Sequence, residues 1–262
     1  KISGSERLGY PIYSFDEVFN TIKQEIEGRG GNVLIETPVT EILTDGGTST
    51  GVRFRTPEGD EHKEDFDAVL STVPSFEFVK MVDLPKTYVD QLTGVVYTAA
   101  VVLILELSHQ LTDRYWMNIA DRSLPFLGLI EHTNLVPKEW YGGRHVLYLT
   151  NYVDRKDPLF EMSHSDLLDL YLPHLKNFNN KFRSSWVKKT HYNRLSAAQP
   201  IIGTNYSKQI PHHRTPIERL YLANTTQIYP EDRGTNYSVR LGRDLAKMII
   251  SDGDGNFETW CN

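Results

Sequence analysis

The chain has 262 residues, of which 39% are hydrophobic and 24% are charged, the balance of a globular protein with a sizeable buried core. A formal net charge of −6 argues against a broad nucleic-acid-binding surface, because such a surface needs a basic face. Cys261 is the single cysteine, which excludes an intrachain disulfide. The sequence shows neither a targeting feature nor an apolar run long enough to span a bilayer, which predicts a cytoplasmic location.

The first element in chain order is an amphipathic helix. Ser14 and Glu17 form an S-x-x-E capping pattern, and apolar residues then recur at helical spacing, which predicts a helix over residues 15–27. The run "GRGG" at 28–31 ends this helix, because glycine tolerates the left-handed conformation. A short buried strand, "NVLIE", is predicted next, and Pro38 breaks it before the chain resumes as "VTEIL".

Short strands and turns follow this helix–strand pair. "VTEIL", "GVRFRT" and "FDAVLSTVP" alternate with "DGG" and "PEGD" turns, the pattern of a β-meander. From about residue 92, longer apolar stretches ("YTAAVVLILEL", "FLGLIEHT" and "HVLYLTNYV") predict strands of one sheet. Ser163 caps a helix that Pro173 interrupts or kinks, and "WVKKTHYNRLSAAQPII" returns as an extended segment. The order of elements predicts an α/β chain.

The last strand–loop–helix unit carries the strongest sign of a binding site. "RLYLANTTQI" predicts a strand, and "YPEDRGTNYSV" leads from it into a helix over residues 236–250. Unpaired N–H groups near Gly234 and Asn236, together with the helix dipole, favour an anion or a carbonyl that gains negative charge. Gly234 allows close approach to the backbone, and Arg233 can add a charge-assisted contact. The predicted apolar side of this helix comprises Val239, Leu241, Leu245, Ala246, Met248 and Ile249.

The same residues also fit a simpler interpretation, a capped surface helix in which Arg233 pairs with Asp232 or Glu231. The residues alone leave both interpretations open. The sequence contains no GxGxxG, no Walker-type loop, no HExxH and no GxSxG, and its nine histidines show no metal-ligand pattern. These patterns therefore predict no metal site and no particular catalytic residue.

Two stretches of the chain resemble FAD-dependent amine oxidoreductases, the group of protoporphyrinogen oxidase, phytoene desaturase and monoamine oxidase. Residues 8–82 resemble the family's helix, its "GG-x-V/I" and "pV-x-x-I" segments, a meander with "GV", and "aD-x-V-(I/L)-x-(T/A)-x-P", here "FDAVLSTVP". Residues 190–250, with "PIERLYLANTTQIYPEDRGTNYSVRLGRDLAKMI", are similar to its C-terminal flavin motif. The intervening segment, about 93–190, fits the variable substrate domain by position.

The resemblance implies FAD as the cofactor and a small-molecule substrate, oxidised at an amine or a C–C bond by hydride transfer to the flavin. Asn224 and Thr225 stand where the family has glycine and an acid that meets the ribityl chain. The implied cofactor contacts are Val39 at the adenine, Thr72, Val73 and Pro74 near the dinucleotide, Arg233 in the flavin loop, and Gly234, Thr235, Asn236 and Tyr237 beside the pyrimidine end of the flavin.

In this family the GxGxxG strand–helix lies upstream of the matched region. The resemblance therefore implies a C-terminal portion of a longer flavoprotein, inactive by itself, whose missing N-terminal dinucleotide-binding segment belongs to the same parent. The implied fold is a partial, Rossmann-like FAD-binding domain over 1–92 and 201–262, interleaved with a mixed-sheet substrate-binding domain over 93–200.

Two alternatives stay open at the level of the sequence. One is a flavoenzyme similar to UDP-galactopyranose mutase, in which Arg233 and Arg240 would clamp a substrate diphosphate. The other is a non-catalytic binding module that has kept the fold and lost the flavin.

Overall fold

A computed structural model of the chain describes residues 9–253, so Cys261 lies outside the described residues. Helices and several sheets confirm the predicted α/β class. The elements in chain order are α1 (Phe15–Gly28), β1 (Val39–Asp45), β2 (Thr48–Arg55), β3 (Glu61–Asp65), β4 (Val69–Ser71), α2 (Ser75–Phe78), α3 (Lys86–Thr93), β5 (Tyr97–Leu107), β6 (Trp116–Asn118), β7 (Gly128–Glu131), β8 (His145–Val153), α4 (Pro158–Glu161), α5 (His164–Tyr171), β9 (Val187–Pro200), β10 (Leu220–Leu222) and α6 (Thr235–Asp252).

The described chain divides into two compact units, each built from two separate segments. The first unit contains residues 9–33 and 98–198, and the second contains residues 34–97 and 199–253. The domain boundaries at 92 and 200 stay predictions. No helix in the part of the chain that the structure describes is long and apolar enough to cross a bilayer.

The first unit is organised around a five-stranded sheet with strand order β6-β7-β8-β5-β9. Neighbouring strands among β6, β7, β8 and β5 pair antiparallel, which confirms that "YTAAVVLILEL" and "HVLYLTNYV" are strands of one sheet. Within "FLGLIEHT" the strand is shorter than predicted and comprises Gly128–Glu131. Because side chains alternate across a strand, every second residue of β5 and β8 points to the same side of the sheet. Helix α5 covers that side. The fully buried members of this core include Leu103, Leu105, Leu147, Leu149, Leu167 and Tyr171.

The predicted caps and breaks of the helices in this unit are confirmed. Ser163 accepts a hydrogen bond from the Asp166 N–H at the start of α5. After Tyr171 the α-helix gives way to a 3₁₀ turn that contains Pro173, because proline has no N–H to continue the helical ladder. In α1, Ser14 accepts from the Asp16 N–H, and the helix ends before Gly30, which has a φ of 87°.

Helix α1 turns its apolar stripe outward. No residue of the helix is buried, and its large apolar side chains are all more than a third exposed: Phe15, Val18, Phe19, Ile22 and Ile26. A contiguous apolar surface of this kind is typical of an interaction site rather than of a free surface.

The second unit contains a three-stranded antiparallel meander, β1-β2-β3, and a two-stranded parallel sheet of β4 and β10. The prediction that "FDAVLSTVP" belongs to the meander was wrong, because its strand, β4, pairs with the distant β10 instead. Strand β10 is also shorter than predicted. In α6, Leu245 is buried as predicted, but Val239 and Ala246 are exposed.

The predicted buried strand "NVLIE" does not form. Residues 32–36 are irregular, Glu36 has a φ of 55°, and Leu34 and Ile35 are 60% and 66% exposed. A strand needs a hydrogen-bonding neighbour, and among the described residues this segment has none. The β4 strand is likewise an edge strand, with β10 on one side only.

A substitution of Gly51 in β2 tests how tightly the meander is packed. A Cβ at this position would overlap the carbonyl oxygen of Glu64 on β3, so Gly51→Ala should lower the free energy of unfolding by about 1–3 kcal/mol. Gly203→Ala is the matched control, because a Cβ there meets nothing within 4 Å, and its effect should stay within about 0.5 kcal/mol. Urea titrations measure the change in the free energy of unfolding for both variants. Equal changes would contradict the predicted overlap.

Glu131 at the end of β7 gives the first unit a pH-dependent stability. Its fully buried carboxylate accepts hydrogen bonds from the N–H groups of Leu111 (3.0 Å) and Thr112 (2.6 Å). Burial disfavours the ionised form and raises the pKa of Glu131 to about 7 despite these bonds. The folded chain therefore binds more protons than the unfolded chain between about pH 4.5 and 7.

The free energy of unfolding should consequently fall, by up to about 3 kcal/mol from this group, as the pH rises from about 4.5 to 7. Glu131→Gln removes the titrating group and should flatten this part of the profile. Urea unfolding of both proteins at pH 5 and pH 8 provides the measurement. His145 lies 3.8 Å from Glu131 and is present in both proteins, so the difference between the two slopes reports the carboxyl together with its coupling to this ring. Identical slopes would refute the assignment.

Candidate flavin-binding site

The carboxyl ends of the parallel strands β4 and β10 lie side by side in the second unit. The Ala223 N–H donates to the Ser71 carbonyl (2.9 Å), so the two chains leave the sheet together. In open parallel sheets, ligands bind beyond this edge. Thr72, Val73 and Pro74 follow β4, and Asn224 and Thr225 follow β10, which brings five of the predicted residues to one edge.

The Asn224 side chain joins the two strand ends. Its Nδ2 donates to the Val73 carbonyl and to the Ser75 hydroxyl, each at 3.1 Å. Its Oδ1 accepts from the Thr226 N–H (3.0 Å) and hydroxyl (2.7 Å). The Gln227 side chain closes the turn by accepting from the Asn224 N–H at 2.9 Å. Both polar atoms of the Asn224 side chain therefore form hydrogen bonds that fix the edge of the sheet.

Sequence reasoning missed three partners in this network: Ser75, Thr226 and Gln227. Thr226 and Gln227 belong to a capping box that begins at Asn224, and the local sequence "NTTQ" carries that signal. Ser75 has no such signal, because it lies 149 residues from Asn224 in the sequence.

The amino end of α6 presents free backbone donors. Gly234 is the N-cap residue and makes no side-chain cap, while the N–H groups of Tyr237 and Ser238 bond to its carbonyl at 3.1 and 3.2 Å. Within residues 9–253, the N–H groups of Thr235 and Asn236 have no acceptor. Two unpaired donors and the positive end of an 18-residue helix thus coincide here.

The backbone conformation does not explain the glycine at position 234. Its φ of −78° is available to any residue, so no backbone constraint requires glycine. A Cβ there would come within 2.6 Å of the Asn236 Oδ1, the end of a side chain that can turn away, so this contact does not require glycine either. Close approach of a ligand to Gly234 stays a prediction.

Arg233 ties the loop to the strand end. Its Nε donates to the Thr225 carbonyl at 3.2 Å, and its backbone N–H donates to Asp232 at 2.8 Å. The expected pairing of its guanidinium with Asp232 or Glu231 does not form. Arg240 takes Glu231 instead, at 2.6 Å, and this hydrogen bond lowers the pKa of Glu231. The Arg240 guanidinium also lies 4.8 Å from the ring centre of Tyr237.

Val39 is a predicted cofactor contact, but the structure does not join it to the residues around Asn224. It begins β1, pairs with Phe54 and is 38% exposed. In the described chain, no hydrogen bond joins Val39 to the residues around Asn224. Its assignment to the adenine end of a cofactor stays a prediction.

The second unit also contains a cavity of about 600 Å³, but at the opposite, amino end of β4 and β10. Arg214 and Asp252 close one wall through two hydrogen bonds of 2.7 Å, and the Tyr221 hydroxyl donates to the same carboxylate at 2.9 Å. We place the candidate site at the carboxyl ends rather than in this cavity, because ligands of parallel sheets bind at that edge. Among the described residues, no group of three His, Cys, Asp or Glu side chains could hold a metal ion.

Comparison with known families decides the assignment of the chain. The sequence profile of the flavin-containing amine oxidoreductases matches residues 9–231. The chain belongs to this family. The match includes the Asn224 turn and ends before Arg233 and helix α6. No curated protein sequence matches the chain significantly.

Solved structures of family-like proteins share the fold. A protein with the provisional name protoporphyrinogen oxidase, from Exiguobacterium sp. 255-15, superposes with a TM-score of 0.70 at 15% identity, over 91% of this chain and 51% of that chain. A glycerol-3-phosphate dehydrogenase from Bacillus halodurans, solved with FAD, gives 0.55 at 13% identity, over 89% and 42%. A reduced UDP-galactopyranose mutase gives 0.50 at 16% identity, over 66% and 36%. The chain thus spans about half or less of these proteins.

Asn224→Ala should loosen the candidate site. The change removes four hydrogen bonds and leaves the Val73 carbonyl and the Thr226 N–H without these partners, so we expect a loss of about 3 kcal/mol in the free energy of unfolding. Asn20→Ala, which removes one exposed bond to Asp16 on α1, should cost less than about 0.5 kcal/mol. Urea unfolding followed by circular dichroism compares the two, and a cost for Asn224→Ala as small as that of the control would refute the role of this side chain.

Proposed function

We propose that the carboxyl edge of β4 and β10, with the amino end of α6, holds the flavin end of FAD in an oxidoreductase. The observation that carries the proposal is the pair of free N–H groups at Thr235 and Asn236, in a chain that belongs to a flavin-containing family. The proposed contacts, including those adopted from the resemblance, are Val39, Thr72, Val73, Pro74, Asn224, Thr225, Arg233, Gly234, Thr235, Asn236 and Tyr237.

The residues at this edge have different roles in the proposed site. FAD, when bound, accepts a hydride from the amine or C–C bond of the substrate. The N–H groups of Thr235 and Asn236 would donate hydrogen bonds to the pyrimidine end of a bound flavin and would favour negative charge there. Arg233 adds a positive charge next to Thr225. Asn224 holds the turn in place and thereby positions these donors.

The ADP end of FAD needs further structure in this proposal. The 262 residues contain no GxGxxG loop, whose backbone cradles the pyrophosphate in dinucleotide-binding folds. Two features of the second unit each fit a docked βα segment of that kind: the exposed Leu34 and Ile35, and the edge strand β4. We propose that such a segment, from the same parent protein, completes the site and that this chain by itself is inactive. A cytoplasmic location stays a prediction.

The mutase-like alternative is the weaker candidate. Clamping a diphosphate would require Arg233 and Arg240 to be available, and in the structure they hold the Thr225 carbonyl and the Glu231 carboxylate. The non-catalytic alternative is an outcome of the flavin test below.

The first test compares the binding of FAD and FMN to the purified chain by visible absorption. Because the proposal gives this chain the flavin end and leaves most ADP contacts to another segment, the two cofactors should bind with Kd values within about threefold of each other. Tighter binding of FAD by a hundredfold would show a complete ADP site within the chain. Absence of any flavin binding would favour the non-catalytic module, and turnover of an amine by the isolated chain would refute its inactivity.

Thr235→Pro tests the helix donors directly. Proline at the first helical position keeps the helix and removes one N–H, so circular dichroism should not change. The Kd for FMN should rise about tenfold, the equivalent of one hydrogen bond to a charged group. His164→Pro makes the same change at the first position of α5 in the other unit and should leave the Kd unaltered. An unaltered Kd in Thr235→Pro would place the flavin elsewhere.

A further inference from the structure

The stretch of the first unit that leads from the end of α5 into β9 concentrates positive charge. Residues 170–198 contain six lysine or arginine residues and no aspartate or glutamate, although the whole chain has a formal net charge of −6. We propose that part of this stretch, the basic loop of residues 176–189, docks the protein on an anionic lipid bilayer, a role separate from that of the proposed flavin site. The loop contains five of the six cations: Lys176, Lys181, Arg183, Lys188 and Lys189.

The basic loop is held in place by the core of the first unit. Leu175, directly before the loop, and Phe182, in its middle, are 0% and 2% exposed and belong to that core. The Asn179 side-chain amide donates to the Leu111 carbonyl at 3.0 Å, and the Phe182 N–H donates to the Asn179 carbonyl at 2.9 Å. The cations between these anchors are therefore held close together on a compact turn.

The cations of the basic loop face solvent and are largely unpaired. All five residues are exposed. Within the part of the chain that the structure describes, Lys189 is the only one of the five that approaches a carboxylate, that of Glu106 at 4.0 Å. Lys188 donates to a carbonyl of its own loop at 2.8 Å. Three side chains have neither a hydrogen-bond nor an ion-pair partner among the described residues: Lys176, Lys181 and Arg183.

Several exposed cations of the second unit are paired instead. Arg53, Lys80 and Lys86 each lie 2.8 to 2.9 Å from a carboxylate oxygen. Like charges that are held together without carboxylates repel one another, so an approaching anionic surface stabilises the basic loop. At physiological salt this attraction acts over about 8 Å, so acidic residues farther than that from the loop oppose it little.

The basic loop lacks the contacts that a protein or a nucleic acid would use. None of the large, exposed apolar side chains of the described chain lies within residues 176–189, whereas protein interfaces depend on apolar and aromatic anchors. Its rings face other rings of the unit: Trp186 stacks on His109 with ring centres 4.7 Å apart, and Phe178 lies 6.1 Å from Phe126. These rings are thus not free to stack on bases.

The types of cation also fit a bilayer. Four of the five are lysines, and lysine is a flexible point charge, whereas arginine is the residue suited to paired hydrogen bonds with one phosphate or carboxylate. Lipid headgroups present many mobile negative charges without fixed geometry, and clusters of four to eight basic residues are typical of proteins that bind them. An anionic bilayer is therefore the partner that the basic loop fits best.

Sedimentation with lipid vesicles tests the proposal without any flavin. The purified chain would be mixed with vesicles of phosphatidylcholine alone, or of phosphatidylcholine with about a third of phosphatidylserine. The chain should bind the phosphatidylserine vesicles at least about tenfold more tightly, and about 0.5 M NaCl should remove the difference because salt screens the attraction. Equal binding to both kinds of vesicle, or binding to neither, would overturn the proposal.

Substitutions locate the contact. Lys181→Gln and Arg183→Gln should each weaken binding to the phosphatidylserine vesicles about fivefold, the contribution of one cation near an anionic bilayer. Both residues are exposed, so circular dichroism should not change. Lys247→Gln is the matched control, because it removes the same charge from an exposed position of α6 in the other unit, and binding should stay unaltered. Equal effects of the three variants would refute a role of the basic loop.

Soluble competitors distinguish a bilayer from other anions. Glycerophosphoserine, at the phosphate concentration of the vesicles, should not displace the chain, because one headgroup cannot engage the whole loop. Displacement would indicate a site for a free phosphate compound. Tighter binding of a single-stranded RNA oligonucleotide or of polyglutamate than of the vesicles would indicate a nucleic acid or an acidic protein as the partner. Each of these results would overturn the proposal, and none depends on the outcome of the flavin titration.

Discussion

The Asn224 side chain is the contact on which the candidate site depends. It connects the ends of two parallel strands, and parallel pairs cannot be joined by a tight turn, so some contact beyond the strands must fix where each chain goes next. Here one amide supplies both the donors and the acceptors. Arg233 then attaches the following loop to the same turn, and the loop delivers the amino end of α6. The direction of the free N–H donors follows from this chain of hydrogen bonds.

The sequence pattern that this chain resembles has a glycine at position 224 and an acid at position 225, whereas this chain has Asn224 and Thr225. A glycine at position 224 has no side chain and could make none of the four hydrogen bonds of the Asn224 amide. The direct connection between the two strand ends therefore comes from a side chain that the resembled pattern lacks.

The sequence correctly predicted those elements that depend on residues close together along the chain. The cap at Ser14, the break at Pro173 and the long apolar runs of β5 and β8 are all local signals, and each is confirmed. The strand "NVLIE" failed because a strand exists only where a partner pairs with it, and pattern alone does not supply one. Strand β4 was placed in the meander because its partner, β10, is far away in the sequence. Ser75 was missed in the predicted site for the same reason, because it lies 149 residues from Asn224 in the sequence.

The two-segment construction of each unit has a consequence for synthesis and folding. Asn224 and Val73 are 151 residues apart, so the parallel pair cannot close until the residues up to Asn224 have left the ribosome. Closing a long loop costs entropy before any contact rewards it, and parallel pairing over such separations is slow. Strands β5 to β8 of the first unit are consecutive in sequence and can pair early. The order of assembly is therefore built into the topology: the central sheet can form during translation, while the proposed flavin edge is completed last.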